Sequence, residues 1–520
     1  MLAGILIVVI LIAGDVVLHR VGPILKARVI ATLSRRFDSR VELDRFQVSA
    51  VRGFEISGDG LRLYPNHLSM TEPLIQVDHF SFHLLSWRQL MQTPNYIGKV
   101  RVSGLVIHVP SKSQRAQLKP LTSASQPVPR PSHSAPQLTV GEILIDRASV
   151  VFENNQPGKV PLTFVIHKLT LRSVAAGQPM KFQATLVNPK PLGNIYTSGD
   201  FGPFDAHSPG DTPVDGQYSF THADLSTIRG IGGTLSSTGR YSGQLNRIAV
   251  DGETTTPDFR LTTADHPMPL KTTFHAIVDG TSGDTQLQPV DAWLAQTHIV
   301  ASGDVAHVPG VRGRNISLNI VVGPGRIQDL LELTGKGEPM MSGQVQAQAQ
   351  MQLPPGDASI PDRLDIHGAF TLDGIHFANP KIQGKVDELS LRGQGQAQQA
   401  DQEADALKAG NLKAATAANV ASQMQGTFTF ANGKISLPAL DYEVPGAEVK
   451  LSGVYTLHGE ALDFNGVARL HAHVSQMVTG WKSALLKAVN PFFAKNGAGT
   501  QVPIRITGTR SDPRIGLAFH

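Results

Sequence analysis

ALDYEVPGAEVKLSGVYTL, residues 439–457, is the stretch on which the fold class turns. Leu440, Tyr442 and Val444 alternate with Asp441 and Glu443 before Pro445-Gly446 interrupts. Ala447, Val449, Leu451, Gly453, Tyr455 and Leu457 then alternate with Glu448, Lys450, Ser452, Val454 and Thr456. A period of two on both sides of Pro-Gly predicts two strands joined by a tight turn, each with one apolar face. That face belongs either to a protein core or to a surface that receives something else apolar.

The same pattern runs outward through the chain. VELDRFQV, FEISGDGLRLYP, KVRVSGLVIHV, ILIDRASVVFE, MKFQATLV and GQYSFTH each alternate or run apolar. NISLNIVV, GQVQAQAQMQL, RLDIHGAFTLDGIHF and KVDELSLRG follow, with Gly, Asn, Asp or Pro between most neighbours. In SGQVQAQAQMQLP the apolar face carries Val345, Ala347, Ala349, Met351 and Leu353. The 50 Gly and 34 Pro suit many turns, so the expectation is a long antiparallel meander rather than βαβ units. Two segments break the pattern: the Ser/Pro-rich 111–137 reads as a disordered loop, and the Ala/Gln-rich 393–425 as a mobile insertion or a marginal helix.

Helical signals are few. GPGRIQDLLELTG predicts one short helix. Near the end Val474, Met477, Val478, Trp481, Leu485, Ala488, Val489 and Phe492 recur at helical spacing, with a kink or restart at Asn490-Pro491. So little helix cannot cover so many strands, and two solutions stay open: sheets folded into dry cores, or a trough whose inner wall holds an apolar ligand.

Chemistry-bearing constellations do not emerge. With 0 Cys, disulfide, zinc-thiolate and cysteine-nucleophile readings fall away. A formal charge of +4 over 520 residues gives no electrostatic case for nucleic acid. Nucleophile-elbow, phosphate-loop, dinucleotide and zinc-protease signatures are missing. His471 and His473 share a strand face without an evident third ligand, and Asp441, Glu443 and Glu448 occupy the polar, solvated positions of their strands. No catalytic, cofactor or metal site is therefore expected.

The start of the chain, MLAGILIVVILIAGDVVL, is nearly all apolar and close to the lower limit of about 17 residues for a membrane-spanning helix. It has neither a basic start nor a clear small-x-small cleavage site, so it reads as an uncleaved single-span anchor rather than a signal peptide. PILKARVIATLSRRF follows, with Leu25, Val29, Leu33 and Phe37 at helical spacing. Lys26, Arg28, Arg35 and Arg36 on this basic amphipathic helix are candidates for lipid headgroups, and Trp481, Phe492 and Phe493 either pack against the end of the sheet or serve as further membrane-surface candidates. Basic residues after the span argue for a cytoplasmic bulk if counted alone, while a surface helix has the same composition, so charge leaves the orientation open.

Three phrases carry a family resemblance. RRFDSRVELDRFQVSAVRGFEISGDGLRL after the anchor resembles the opening of AsmA-like envelope proteins, and DLSTIRGIGGTLSSTGRYSGQLNRIAVDGETTTPDF resembles their core. MQGTFTFANGKISLPALDYEVPGAEVKLSGVYTL, SQMVTGWKSALLKAVNPFF and VPIRITGTRSDPRIGL resemble their C-terminal region. The resemblance implies a mainly β fold: an elongated, curled antiparallel sheet, the taco-like repeating β-groove, with an N-terminal transmembrane helix and a few short amphipathic helices. It also implies a single-pass bacterial inner-membrane protein with its bulk in the periplasm, binding phospholipid acyl chains and assisting lipid transport and outer-membrane biogenesis. The alternative is a non-enzymatic scaffold or chaperone acting on outer-membrane or envelope proteins.

The resulting scheme is an anchor at 1–20, a basic amphipathic helix at 21–38, an N-terminal β region at 39–110, the loop at 111–137 and a central β-groove at 138–392. The insertion at 393–425 and a C-terminal β region at 426–520, with its helix near 474–494, complete it. Candidate groove residues are Leu440, Tyr442, Val444, Val449, Leu451, Tyr455 and Leu457, with Val345, Met351 and Leu353.

Overall fold

The computed structural model describes residues 23–520 apart from 50–53, 67–71, 85–95, 110–138, 153–160, 205–207, 309–310, 414–415, 473–475, 478–499, 518–520 and a few single loop positions. The expected span at 1–20, the loop at 111–137 and the helix near 474–494 except Gln476 and Met477, with Trp481, Phe492 and Phe493, lie outside the described residues, as do the side chains of Arg28 and Arg36. Among the described residues no helix is long and apolar enough to cross a membrane.

α1 (Pro23–Phe37) leads into β1 (Ser39–Glu42), β2 (Arg45–Ser49), β3 (Phe54–Pro65), β4 (Ile75–Leu84) and β5 (Tyr96–Val109). β6 (Thr139–Phe152), β7 (Leu162–Ala175), β8 (Met180–Pro189), β9 (Leu192–Phe201) and β10 (Pro213–Asp224) continue it. Next come β11 (Ile231–Gly232), β12 (Thr234–Gln244), β13 (Arg247–Leu261), β14 (Met268–Val278), β15 (Thr285–Leu294), β16 (Thr297–His307) and β17 (Arg314–Arg326). α2 (Ile327–Thr334), β18 (Met341–Leu353), α3 (Ile360–Arg363), β19 (Asp365–Phe377), α4 (Pro380–Gly393) and α5 (Ala397–Lys408) follow. β20 (Ser422–Ala431), β21 (Lys434–Val444), β22 (Ala447–Thr456), β23 (Ala461–Leu470), β24 (Thr500–Thr509) and β25 (Pro513–Leu517) end the chain.

The strands form a single 25-stranded sheet. It is mixed, which corrects the expectation of a purely antiparallel meander: β5 and β6 run parallel, Val100 beside Ile143 and Val102 beside Ile145. A parallel pair needs a crossover of a dozen or more residues, and the 29 positions 110–138 between these strands supply that length. A second correction concerns KVDELSLRG, expected as a strand, which lies in α4. Asn379 caps that helix by accepting from the Lys381 amide, and Pro380 sits in the first turn, the arrangement that starts helices.

Two compact units result: residues 1–229, 234–254 and 276–283 make the first, and 230–233, 255–275 and 284–520 the second. The first has a dry core. Ile56, Phe82, Val100 and Ile143 lose essentially all contact with solvent and lie on facing positions of neighbouring strands, and the equally buried Val174 faces Val140. Val29 and Leu33 of α1 belong to the same core. The helix thus has Val29 and Leu33, the described part of its apolar stripe, taken up by the protein itself. Of its basic face, Lys26 donates to the Asp44 carbonyl at 2.9 Å, and Arg35 is exposed.

Candidate functional site

In the second unit the register of ten strands, β15 to β24, aligns the inward residues into rows. One row runs Leu287, Gly303, Leu318, Met351, Ile366, Phe430, Ile435, Tyr455, Leu462 and Gly508, each paired with the next. No position in it carries a charge: in these strands the charged side chains fall on the alternate, outward positions, apart from Arg314 at the start of β17, which shares the face of Ile316 and Leu318. With strands spaced about 4.8 Å apart, its nine steps cover roughly 43 Å measured along the sheet. These side chains are half-buried, and none belongs to the unit's two buried clusters.

Another row, Val345, Leu372, Met424, Tyr442, Val449, Ala468 and Val502, is covered. Val386 and Leu389 of α4 pack over its Tyr442–Ala468 half, and Ile327 and Leu330 of α2 over the Val345–Leu372 half. The apolar face of this unit therefore has a helix-covered side and a side that no helix covers among the described residues.

The ten expected groove residues divide between the two sides. Val345, Leu440, Tyr442, Val444 and Val449 are buried, and Tyr442, Val444 and Val449 share a cluster with α4. Leu451 is half-buried at the margin of that cluster. Met351, Leu353 and Tyr455 lie on the uncovered side, and Leu457 is 40% exposed just beyond the end of β22. Leu318, Ile366, Phe430, Ile435 and Leu462 complete the uncovered row and were missed. Each stands in an alternating strand, but only the register shows that they meet.

The turn that opened the sequence reading is the anchor point for α4. Val444 pairs with Ala447, leaving Pro445-Gly446 as a two-residue turn with Gly446 at φ +87°. Proline in front of a left-handed glycine is the type II arrangement. The Ser390 hydroxyl donates to the Pro445 carbonyl at 2.7 Å, and the Ala472 amide donates to the Gly393 carbonyl at 3.0 Å. A Cβ on Gly393 would overlap the Gly446 carbonyl, so helix and turn meet backbone to backbone.

Beneath α4 and α5 sits a buried polar set. Asp387 accepts from Gln383 Nε2 and the Val420 amide at 2.9 Å each, and from the Asn419 amide at 3.2 Å. Glu403 accepts from the Ala418 amide at 3.1 Å through one oxygen, while Oε2 has no partner among the described residues. Burial raises the Glu403 carboxyl above its usual value, Asp387 adds to that, and the Ala418 amide opposes it. The Tyr442 hydroxyl is buried without a hydrogen bond of regular geometry. Burial pushes it up to about 12, the nearby Ser422 hydroxyl acts the other way, and Asp387 adds to the rise. These groups fasten the helical hairpin to the sheet.

Among the described residues no three His, Asp or Glu side chains are placed to hold a metal ion. Asp441, Glu443 and Glu448 lie on the outward, solvated positions; Asp441 is 3.8 Å from Lys450, and Glu448 is 3.7 Å from His471. His473 lies outside the described residues. No family model, curated protein or solved structure matches this chain.

Proposed function

We propose that this chain is an envelope lipid-binding protein of the AsmA-like type, whose second unit holds the acyl chains of phospholipids against its uncovered apolar row. The observation that carries the reading is that row: uncharged positions across ten strands, half-buried, without a covering helix among the described residues. Each methylene moved from water onto such a wall gains about 0.8 kcal/mol, so a diacyl lipid is retained while its headgroup stays in water. On this reading residues 1–20 anchor the chain in the bacterial inner membrane, the bulk lies in the periplasm, and the protein assists lipid transport and outer-membrane biogenesis without catalysing a reaction. The sheet then acts as a curled groove with the helix-covered side as its closed flank.

The test is to purify the full chain, or a fragment that keeps α1, and to extract and weigh its lipids by mass spectrometry. A fragment starting at residue 40 would remove Val29 and Leu33 from the first core. Phospholipid well above that of a control protein is expected; none above control would overturn the reading.

A second reading, a non-enzymatic scaffold for outer-membrane or envelope proteins, is favoured by one observation. β25 pairs only with β24 among the described residues, and its Ile515 is 51% exposed, so its free edge can accept a strand from another chain. Crosslinks from Ile515 to protein, together with none from Met351 to lipid, would favour it.

A further inference from the structure

The first unit's inward face changes character along the sheet. One row leaves the dry core through Ile145, Leu169 and Ala184 and continues onto Thr197, Tyr218 and Gly239. There the lining turns from aliphatic to hydroxyl-bearing. Tyr218 lies 3.1 Å from Ser237 Oγ, and Tyr241 lies 2.6 Å from Thr197 Oγ1. A Cβ on Gly239 would lie 2.7 Å from Tyr218 Cε1, and one on Gly216 2.7 Å from the Tyr241 oxygen. Each tyrosine therefore lies over the glycine of its cross-strand partner, and its ring forms part of the floor.

The charges in these strands are elsewhere. Lys181, Asp200, Asp215 and Arg240 occupy the alternate positions, which point to the opposite face. A phosphate would call for Arg or Lys, and this part of the face has neither among its described residues. Its polar groups are hydroxyls. Thr197 donates to the Gln217 carbonyl at 2.9 Å, so Tyr241 supplies the proton of its own pair. In the Tyr218–Ser237 pair one of two hydroxyl protons is used, which leaves one to donate. Burial raises both phenols above the usual tyrosine value, so they remain neutral donors.

We infer that Tyr218, Ser237, Tyr241 and Thr197 form a station for the ester-carbonyl region of a diacyl lipid, with the neighbouring apolar row through Leu186, Ile195 and Phe220 receiving its chains. A neutral donor beside flat aromatic floor suits an ester carbonyl flanked by methylenes, whereas a headgroup phosphate would remain in solvent. This inference rests on the reading that the chain carries acyl lipids, and extends it to a face of the first unit.

The test uses the full chain with a photoreactive benzophenone side chain at Ile195, an inward neighbour on β9, and, in a second sample, at Met351 of the uncovered row. Each is exposed to vesicles of a diester phospholipid and of its diether analogue with the same headgroup and chains. At Ile195 the diester is expected to crosslink about fivefold more than the diether, the factor one hydrogen bond to a neutral acceptor gives. The double variant Tyr218→Phe/Ser237→Ala should abolish that preference, whereas each single change, checked for folding by circular dichroism, leaves one hydroxyl proton and should keep it. Met351 should capture both lipids alike. Capture at Met351 with none at Ile195, or equal diester and diether yields there, overturns the station and leaves the lipid-binding reading standing. Capture at neither position overturns both.

Discussion

The Phe464 ring lies across Gly453, its partner on the neighbouring strand, so that a Cβ on the glycine would stand 2.5 Å from Phe464 Cδ1. Phe464 is buried, and the bare backbone of Gly453 is what admits its ring. The relationship recurs where Tyr218 covers Gly239. Aromatic rings over cross-strand glycines fill a sheet face without a second layer of side chains.

Gly453→Ala should therefore destabilise the second unit by about 1–3 kcal/mol, the usual cost of overpacking a well-filled site. The new methyl meets both the Phe464 ring and the Asp463 carbonyl, and the carbonyl cannot move aside as a side-chain tip would. Chemical denaturation followed by circular dichroism measures it. A midpoint equal to that of the parent chain would show that the ring shifts freely and contributes little to the face.

The strands themselves were legible because each carries its period of two locally, as ALDYEVPGAEVKLSGVYTL does with its Pro-Gly turn. The rows were not legible, because whether Met351 meets Ile366 or its neighbour depends on register, which spans separate strands. KVDELSLRG misled because Val386, Leu389 and Leu391 fit a short strand as well as a helix. The signal that separates the two lies upstream: Asn379-Pro380 starts a helix, and Ile382, Val386 and Leu389 then follow at helical spacing. The parallel β5–β6 pair left no mark in either strand, since only the long connection between them permits it. At the groove candidates alternation sets Tyr442 and Met351 alike on the apolar face of their strands, yet could not tell that α4 covers one and no helix among the described residues the other.

The two sides of the apolar face should respond differently to charge. Val345→Asp places a carboxylate in a cluster where Val345 keeps 2% exposure, and unfolding of the second unit is the expected result. Ile435→Asp, on the uncovered row, should leave stability within about 1 kcal/mol of the parent while reducing retained phospholipid severalfold. Thermal unfolding and lipid extraction on the same preparations separate the effects. Equal lipid retention by Ile435→Asp and the parent chain would place the ligand somewhere other than on this row.

α1 should be an integral part of the first core. Leu33 has 1% exposure among Val29, Val41 and their neighbours, so Leu33→Ala is expected to cost about 2–5 kcal/mol through lost burial and the cavity left behind. The exposed Arg35 on the same helix should tolerate Arg35→Ala with little change. A Leu33→Ala chain as stable as the parent, measured in denaturant, would mean that the helix merely rests on the sheet.

Glu403 gives the helical hairpin a pH dependence with a definite sign. Burial and then Asp387 hold its carboxyl pKa above the unfolded value, so the folded state binds that proton more tightly than the unfolded chain does. The resulting stability is fully present below the unfolded carboxylate pKa and is lost as pH rises through the higher folded value. Glu403→Gln keeps an oxygen for the Ala418 amide and removes the titration. The parent chain should lose stability relative to Glu403→Gln as pH rises out of the ordinary carboxylate range, and the two should converge in acid. Unfolding midpoints across pH measure the difference, and hydrogen exchange at Ala418–Val420 localises it. Parallel pH profiles for the two chains would show that Glu403 titrates as it does in the unfolded state and gives this hairpin no pH dependence.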